Sequence, residues 1–184
     1  MKALDLEAVS ECKRCPDLGR YHCPAYGSPY AHLMIIGQSP GSTEVDEGEP
    51  FVGECGLMLE NMLAEVPIAK CDCYITNALK CHPPKNRPGT NKEISTCRKV
   101  WLKKEFQYVN PKVVLILGKD AWKAMPERVR DKLEFKHMGK YKTKKRVYLC
   151  SFHPGYFIRR GELDQFIHVG STLRSLLSKV EGEI

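Results

Sequence analysis

The 184-residue chain contains no apolar run approaching the roughly 20 residues that a membrane-spanning helix needs. Its first residues, Met1-Lys2-Ala3-Leu4-Asp5-Leu6-Glu7, carry acids where a secretory signal needs a hydrophobic stretch. Both absences point to a cytoplasmic protein. No internal repeat or low-complexity tract interrupts the chain, so one domain over residues 1–184 is expected, long enough to bury a real core. Acids are in deficit: 22 Asp and Glu stand against 29 Lys and Arg, a formal net charge of +7. That balance favours a polyanionic partner. With 42% apolar and 28% charged residues, the composition is that of a soluble globular protein.

Cysteine, by contrast, is abundant. Nine cysteines are many for a reducing compartment, where disulfides are disfavoured and a metal or cluster site explains them better. Cys12-Lys13-Arg14-Cys15 is a Cys-x-x-Cys turn that can present two thiolates to one centre. Cys81, in the proline-rich segment Lys80-Cys81-His82-Pro83-Pro84, could supply a third ligand. Cys97 could supply a fourth, just inside a helix that Thr90-Asn91-Lys92-Glu93 would open as a capping box. Four thiolates suit either zinc or an iron–sulfur cluster. Cys23 is the strongest rival ligand, and Cys55, Cys71, Cys73 and Cys150 read as small buried apolar residues.

Four short, unalternating apolar runs read as strands covered on both faces: Leu33–Ile36, Tyr74–Thr76, Val113–Leu117 and Val147–Cys150. Helical patterns lie between them. Leu57 to Val66 marks one, and Ile94 to Phe106 another that Asn110-Pro111 must end. A short helix spans Asp120 to Met125 and a last one Leu163 to Val180. The alternation predicts a three-layer α/β/α fold around a central, mostly parallel four-stranded sheet.

In a parallel sheet the C-terminal strand ends share one edge. After the first run comes Gly37-Gln38-Ser39-Pro40-Gly41, opening a loop that continues to Pro50-Phe51-Val52-Gly53. Such Gly- and Pro-rich strand-to-helix loops are where α/β folds place ligands. Asn77 follows the second run, and Ser151-Phe152-His153-Pro154-Gly155 covers the end of the fourth. Gln38, Phe51, Asn77 and His153 should therefore converge on one cleft, with Phe51 stacking on something flat rather than filling a core. Two amides, a ring and an imidazole suit a planar, hydrogen-bonding base.

The basic residues cluster as Lys80, Lys85 and Arg87, then Lys136 to Arg146 on a hairpin before the fourth strand, then Arg159 and Arg160. Two of the three groups adjoin the cleft in sequence, so a phosphate-binding rim is expected. The segment His153 to Arg160 has two readings. It is a loop whose Phe157 or Ile158 wedges into a base stack while Arg159 and Arg160 hold phosphates. Or it is a helix start with Tyr156 or Phe157 in the core.

Together these residues resemble the iron–sulfur, or family 4, uracil-DNA glycosylases over almost the whole chain. Gly37, Pro40, Gly41, Glu44 and Pro50 to Gly53 match the family's first motif; Tyr74 to Asn77, Lys80, Cys81, Pro83 and Pro84 match its second; His153-Pro154 matches its last. The resemblance implies a monomeric, monofunctional enzyme of base excision repair that flips uracil out of single- or double-stranded DNA and hydrolyses its N-glycosidic bond. It implies a structural [4Fe–4S] cluster on Cys12, Cys15, Cys81 and Cys97. It implies that Gly37, Gln38, Phe51, Asn77 and His153 bind the base, with Gln38 and His153 catalytic, and that Ile158, Arg159 and Arg160 meet the DNA. One departure matters: position 38 is Gln where that family has Glu, and position 39, where family 1 enzymes carry Asp, is Ser. A neutral amide is no general base at pH 7, so the alternative is a glycosylase-like DNA-binding protein with weak cleavage or altered base choice.

Overall fold

A computed structural model describes residues 7–18, 21–66 and 68–181. Its six strands are β1 (Tyr26–Gly27), β2 (Leu33–Gly37), β3 (Tyr74–Asn77), β4 (Val113–Leu117), β5 (Gly139–Lys142) and β6 (Val147–Ser151). Among the described residues the α-helices are α1 (Ser42–Glu47), α2 (Glu54–Leu63), α3 (Asn91–Cys97), α4 (Lys103–Val109), α5 (Lys119–Lys123), α6 (Glu127–Arg130), α7 (Pro154–Arg160) and α8 (Leu163–Glu181).

The strands lie in the order β1-β3-β2-β4-β6-β5. The inner four are parallel, with Gly37 opposite Asn77 and Leu117 opposite Ser151. They are the four expected runs, and every residue of β2, β3 and β4 is buried. The sheet is nevertheless wider than four strands. Two antiparallel strands, β1 and β5, border it. β1 is only two residues long, and β5 (Gly139-Lys140-Tyr141-Lys142) carries too much charge to read as a buried run. β5 and β6 form the hairpin expected before the last parallel strand.

Alternate strand residues feed two cores. Met34, Ile36, Val114, Ile116 and Cys150 pack with Trp101, Leu102 and Ala121 on one face. Leu33, Ile35, Leu115, Leu117 and Leu149 pack on the other with Leu59, Met62, Phe157, Phe166 and Leu173. The result is an α/β/α sandwich. Burying each such side chain contributes about 1.5–3 kcal/mol before conformational entropy is set against it. In α8 the buried Phe166, Val169, Leu173 and Leu177 recur every three or four residues, the stripe a surface helix needs.

Thr90 caps α3 as its sequence predicts: its hydroxyl accepts from the Glu93 N–H at 3.2 Å, and Glu93 accepts from the Thr90 N–H at 2.7 Å. Cys97, however, is the last residue of α3 rather than one near its start. A π-helical turn, Arg98–Leu102, joins α3 to α4. The segment after His153 is a helix, α7, with His153 as N-cap and Pro154 at its first position. No described helix is long and apolar enough to cross a membrane.

Candidate active site

The C-terminal ends of β2, β3 and β6 open into a cleft of about 480 Å³ lined by Gln38, Phe51, Asn77 and His153, among others. Gly37, buried and not itself a lining residue, lies behind Phe51 and Asn77. A Cβ there would lie 2.7 Å from the Phe51 ring and would also strike the Asn77 amide, so only glycine leaves room for both.

The loop that carries Phe51 is held from several sides. Glu44 accepts from the N–H of Gly41 at 3.0 Å, of Val52 at 3.3 Å and of Gly53 at 3.1 Å. Phe51 has φ of 58°, an unfavourable value for an aromatic residue that persists only where neighbours over-determine it. They do. Lys70 donates to the Phe51 carbonyl at 2.9 Å and pairs with Glu49 and Glu60, while Gly56 packs against that carbonyl. Phe51 does not stand outside the core: it is 5% exposed and belongs to the α2-side cluster. Its remaining edge lines the cleft, 6.0 Å from the His153 ring and 25° from parallel to it.

Asn77 ends β3 and is buried, and its backbone carbonyl accepts from Lys80 Nζ at 2.9 Å. Lys80, 1% exposed, also binds Glu105 at 2.8 Å and contacts the Thr76 hydroxyl. The Asn77 side-chain amide has no hydrogen-bond partner among the described residues and lines the cleft. The amide meets the cleft rather than protein, so the polar edge of a ligand can take the place of water there.

His153 caps α7. Its Nδ1 accepts from the Gly155 N–H at 3.3 Å, which in the neutral ring leaves the proton on Nε2. Burial, reinforced by the positive charge of Arg159, pushes its pKa down to about 4. At neutral pH it is therefore an uncharged hydrogen-bond donor.

Gln38 is turned toward α5. Its Oε1 accepts from the Asp120 N–H at 3.3 Å, against Gly118, whose φ of 94° brings the backbone under the side chain. Three of the nearby carboxylates are committed or placed elsewhere and do not take the place of the missing Glu at position 38. Both oxygens of Glu44 are committed to the loop, Asp46 is exposed outside the cleft, and Asp120 binds the Gly89 N–H at 2.8 Å and Lys123. Glu54, exposed on the cleft wall, has neither an ion pair nor a hydrogen bond among the described residues.

Three lining residues escape a reading of the sequence: Cys55, Asn86 and Glu54. Cys55 was expected in the core. It does pack partly against the α2-side core, but it also lines the cleft: its Sγ stands 4.0 Å from His153 Nδ1, and burial, with Glu44 nearby, raises its thiol pKa. Cys71 is exposed, whereas Cys23, Cys73 and Cys150 are buried. Of the predicted DNA-contacting residues, Arg159 lines the cleft. Arg160 is exposed and pairs with Glu162 at 2.8 Å. Ile158 packs partly into the α2-side core, and Phe157 is fully inside it.

The hairpin lysines do not rim this cleft. The turn between β5 and β6 precedes β6, so it lies at the N-terminal edge of the parallel sheet, the end away from Gly37 and Asn77.

Cys12, Cys15, Cys81 and Cys97 line one small cavity with Leu18, Lys80, Val100 and Trp101. Cys23 is not among its walls; its Sγ faces the Pro24 carbonyl at 3.6 Å. Backbone pairing of His22 with Cys81, and of Cys23 N–H with the Lys80 carbonyl at 2.8 Å, holds the N-terminal segment against the Cys81 loop. Burial raises the pKa of Cys81 and Cys97 to about 12 each. Among the described residues, no three His, Cys, Asp or Glu side chains gather closely enough for a single metal ion. A polynuclear cluster is larger and spreads its ligands farther. Trp101 Nε1, in the same wall, is buried without a partner, a donor that a cluster sulfur would satisfy.

Residues 24–176 match the model of the uracil DNA glycosylase superfamily. The chain is similar to a type-4 uracil-DNA glycosylase of Archaeoglobus fulgidus, 36% identical over 126 residues, covering 66% of this chain and 62% of that relative's length. It is similar to type-4 uracil-DNA glycosylases of Pyrobaculum aerophilum, 31% identical over 85% of this chain and 84% of the relative, and of Sulfurisphaera tokodaii, 31% identical over 80% and 71%. With the matched segment running from β1 into α8 and containing every residue of the cleft, the chain belongs to the uracil DNA glycosylase superfamily.

Proposed function

We propose that the protein flips uracil out of DNA and hydrolyses its N-glycosidic bond, as a monofunctional glycosylase of base excision repair. The observation that carries the reading is the meeting of an unpartnered Asn77 amide and a neutral, Nε2-protonated His153 beside the Phe51 ring. An amide presents a donor and an acceptor together, which is what reading the pairing edge of a uracil requires. Phe51 would contact the base with the part of its ring that reaches the cleft.

When the C1′–N1 bond breaks, its electron pair goes to the pyrimidine and negative charge grows on a ring carbonyl oxygen. The Nε2–H of His153 donates to that oxygen, and because the ring is neutral it stabilises the anion without giving up its proton. Water adds to C1′ of the cation-like sugar and loses a proton to solvent; the released uracil anion takes one up. With no free carboxylate at position 38, the step runs without the roughly 100- to 10,000-fold that a general base contributes. Arg159, on the cleft wall, is placed to hold a phosphate beside the flipped nucleotide.

Cys12, Cys15, Cys81 and Cys97 would hold a [4Fe–4S] cluster, which would supply a structural brace and no step of the reaction. Anaerobically purified protein should be brown, with broad absorption near 400 nm; a colourless preparation with stoichiometric zinc would replace the cluster by zinc.

Incubation with a uracil-containing oligonucleotide, followed by hot alkali, should break the strand at uracil. Intact strands at high enzyme excess would sink the reading. The amide at Gln38 favours a second possibility, DNA binding with slow cleavage. Gln38→Glu separates the two: a rate gain of about 100-fold or more shows a competent scaffold limited by this position, and unchanged trace activity favours a binding role.

A further inference from the structure

A continuous run of positive charge starts at the sheet edge opposite the cleft and extends over the face covered by α4. Two grooves of about 560 Å³ each meet there, sharing Asn110 and Arg146. One is lined by Arg98, Lys99, Lys103, Arg128 and Arg146, with Phe106 and Tyr148 between them. The other is lined by Lys112, Lys140, Lys142, Lys144, Lys145 and Lys179. Neither groove has an acidic residue in its wall. None of these cations forms an ion pair among the described residues. The cleft differs: its walls hold Glu44 and Glu54 against Arg159.

The shared residue is fixed in place. Arg146 donates to the carbonyl of Pro111 at 3.0 Å and to Asn110 Oδ1 at 2.8 Å, and its guanidinium lies 5.5 Å from the centre of the Phe106 ring. All its partners are neutral, so its charge stays available to a ligand. An unneutralised run of cations around an edge raises a field that concentrates polyanions. A solvated lysine run needs no such continuity and no anchored arginine.

We infer that this edge is a second nucleic-acid surface, binding the phosphate backbone of a duplex segment other than the one in the cleft. β4 and β6, five residues each at about 3.3 Å per residue, separate the two sites by the height of the sheet. A straight duplex seated at one edge therefore leaves the other free. Backbone contacts carry no sequence information, so the surface takes undamaged DNA. The protein then holds one segment while testing another, and this does not depend on which base the cleft accepts.

The test is Lys142→Gln, Lys144→Gln, Lys145→Gln and Lys179→Gln combined, all at exposed positions. Binding to an undamaged duplex should weaken about 10- to 100-fold at low salt, with the slope of log K against log salt falling by about 0.9 per lost phosphate contact. Wild-type protein should bring two differently labelled duplexes together at limiting concentration, and the variant should not. Single-turnover excision from a short uracil-containing strand should change less than twofold. Unchanged affinity and slope in the variant would overturn the inference. So would poly-glutamate competing at lower charge concentration than DNA, which would assign the edge to an acidic protein. Lost bridging in a protein that excises no uracil would sink the excision reading and leave this one standing.

Discussion

His153 carries the sharpest single-residue consequence. Its folded pKa of about 4 lies below the ordinary value near 6.5. The unfolded chain therefore binds the extra proton first. The stability that His153 contributes is complete above about pH 6.5 and is lost as pH falls toward 4, up to about 3 kcal/mol in all. Thermal melts between pH 7 and pH 4 should show this slope, and His153→Asn should flatten it. Excision should hold nearly constant from pH 7 to pH 5 and fall only near pH 4; a midpoint near 6.5 would mean that the ring is not held neutral. Asn77→Ala removes a side chain with no protein partner, so the fold should lose little. Its excision rate should drop about 100- to 1,000-fold, the scale of losing one aimed donor.

At the level of elements, α7 divides the two readings of the segment after His153. Phe157 is 1% exposed in the α2-side core. Phe157→Ala should cost about 3–5 kcal/mol of stability, seen as a lower Tm, and act equally on single- and double-stranded substrates. Ile158 is only partly buried. Ile158→Ala should barely move the Tm and should slow duplex excision more than single-strand excision, because a duplex leaves a hole in the stack to fill. The structure decides for the helix start and against the loop: Pro154 stands at the first helical position and Gly161, a stop signal the sequence reading passed over, follows the last. The four inner strands were legible because burial on both faces leaves no choice but apolar residues. β1 was not, because two residues have no period. The convergence of Gln38, Phe51, Asn77 and His153 followed from strand direction alone; the same rule, applied to the turn that precedes β6, corrects the expectation that the hairpin lysines rim the cleft. What sequence could not give was detail within a wall: that Cys55 reaches His153, or that Gln38 turns toward α5. Such facts depend on side-chain directions set by neighbours distant in the chain.

For the whole molecule, the cleft and the cysteine cavity are joined by one buried ion pair. Lys80 touches the Asn77 carbonyl, Glu105 and the wall that the cysteines share. Lys80→Met leaves the Glu105 charge buried and unpaired, which should cost about 3–5 kcal/mol in denaturant unfolding. Cys81→Ser should lower both absorption near 400 nm and Tm, whereas Cys150→Ala, buried in the sheet, should leave the absorption intact. The sheet itself is open at both sides, and an open side invites another strand. At one side β1 is too short to template much. At the other, β5 presents exposed Lys140 and Lys142. Charge on an outer strand repels an incoming copy before its backbone can dock. Replacing both with valine would leave the native core untouched and turn a DNA-attracting border into a seed for fibrils, detectable as thioflavin-positive aggregate at an unchanged Tm.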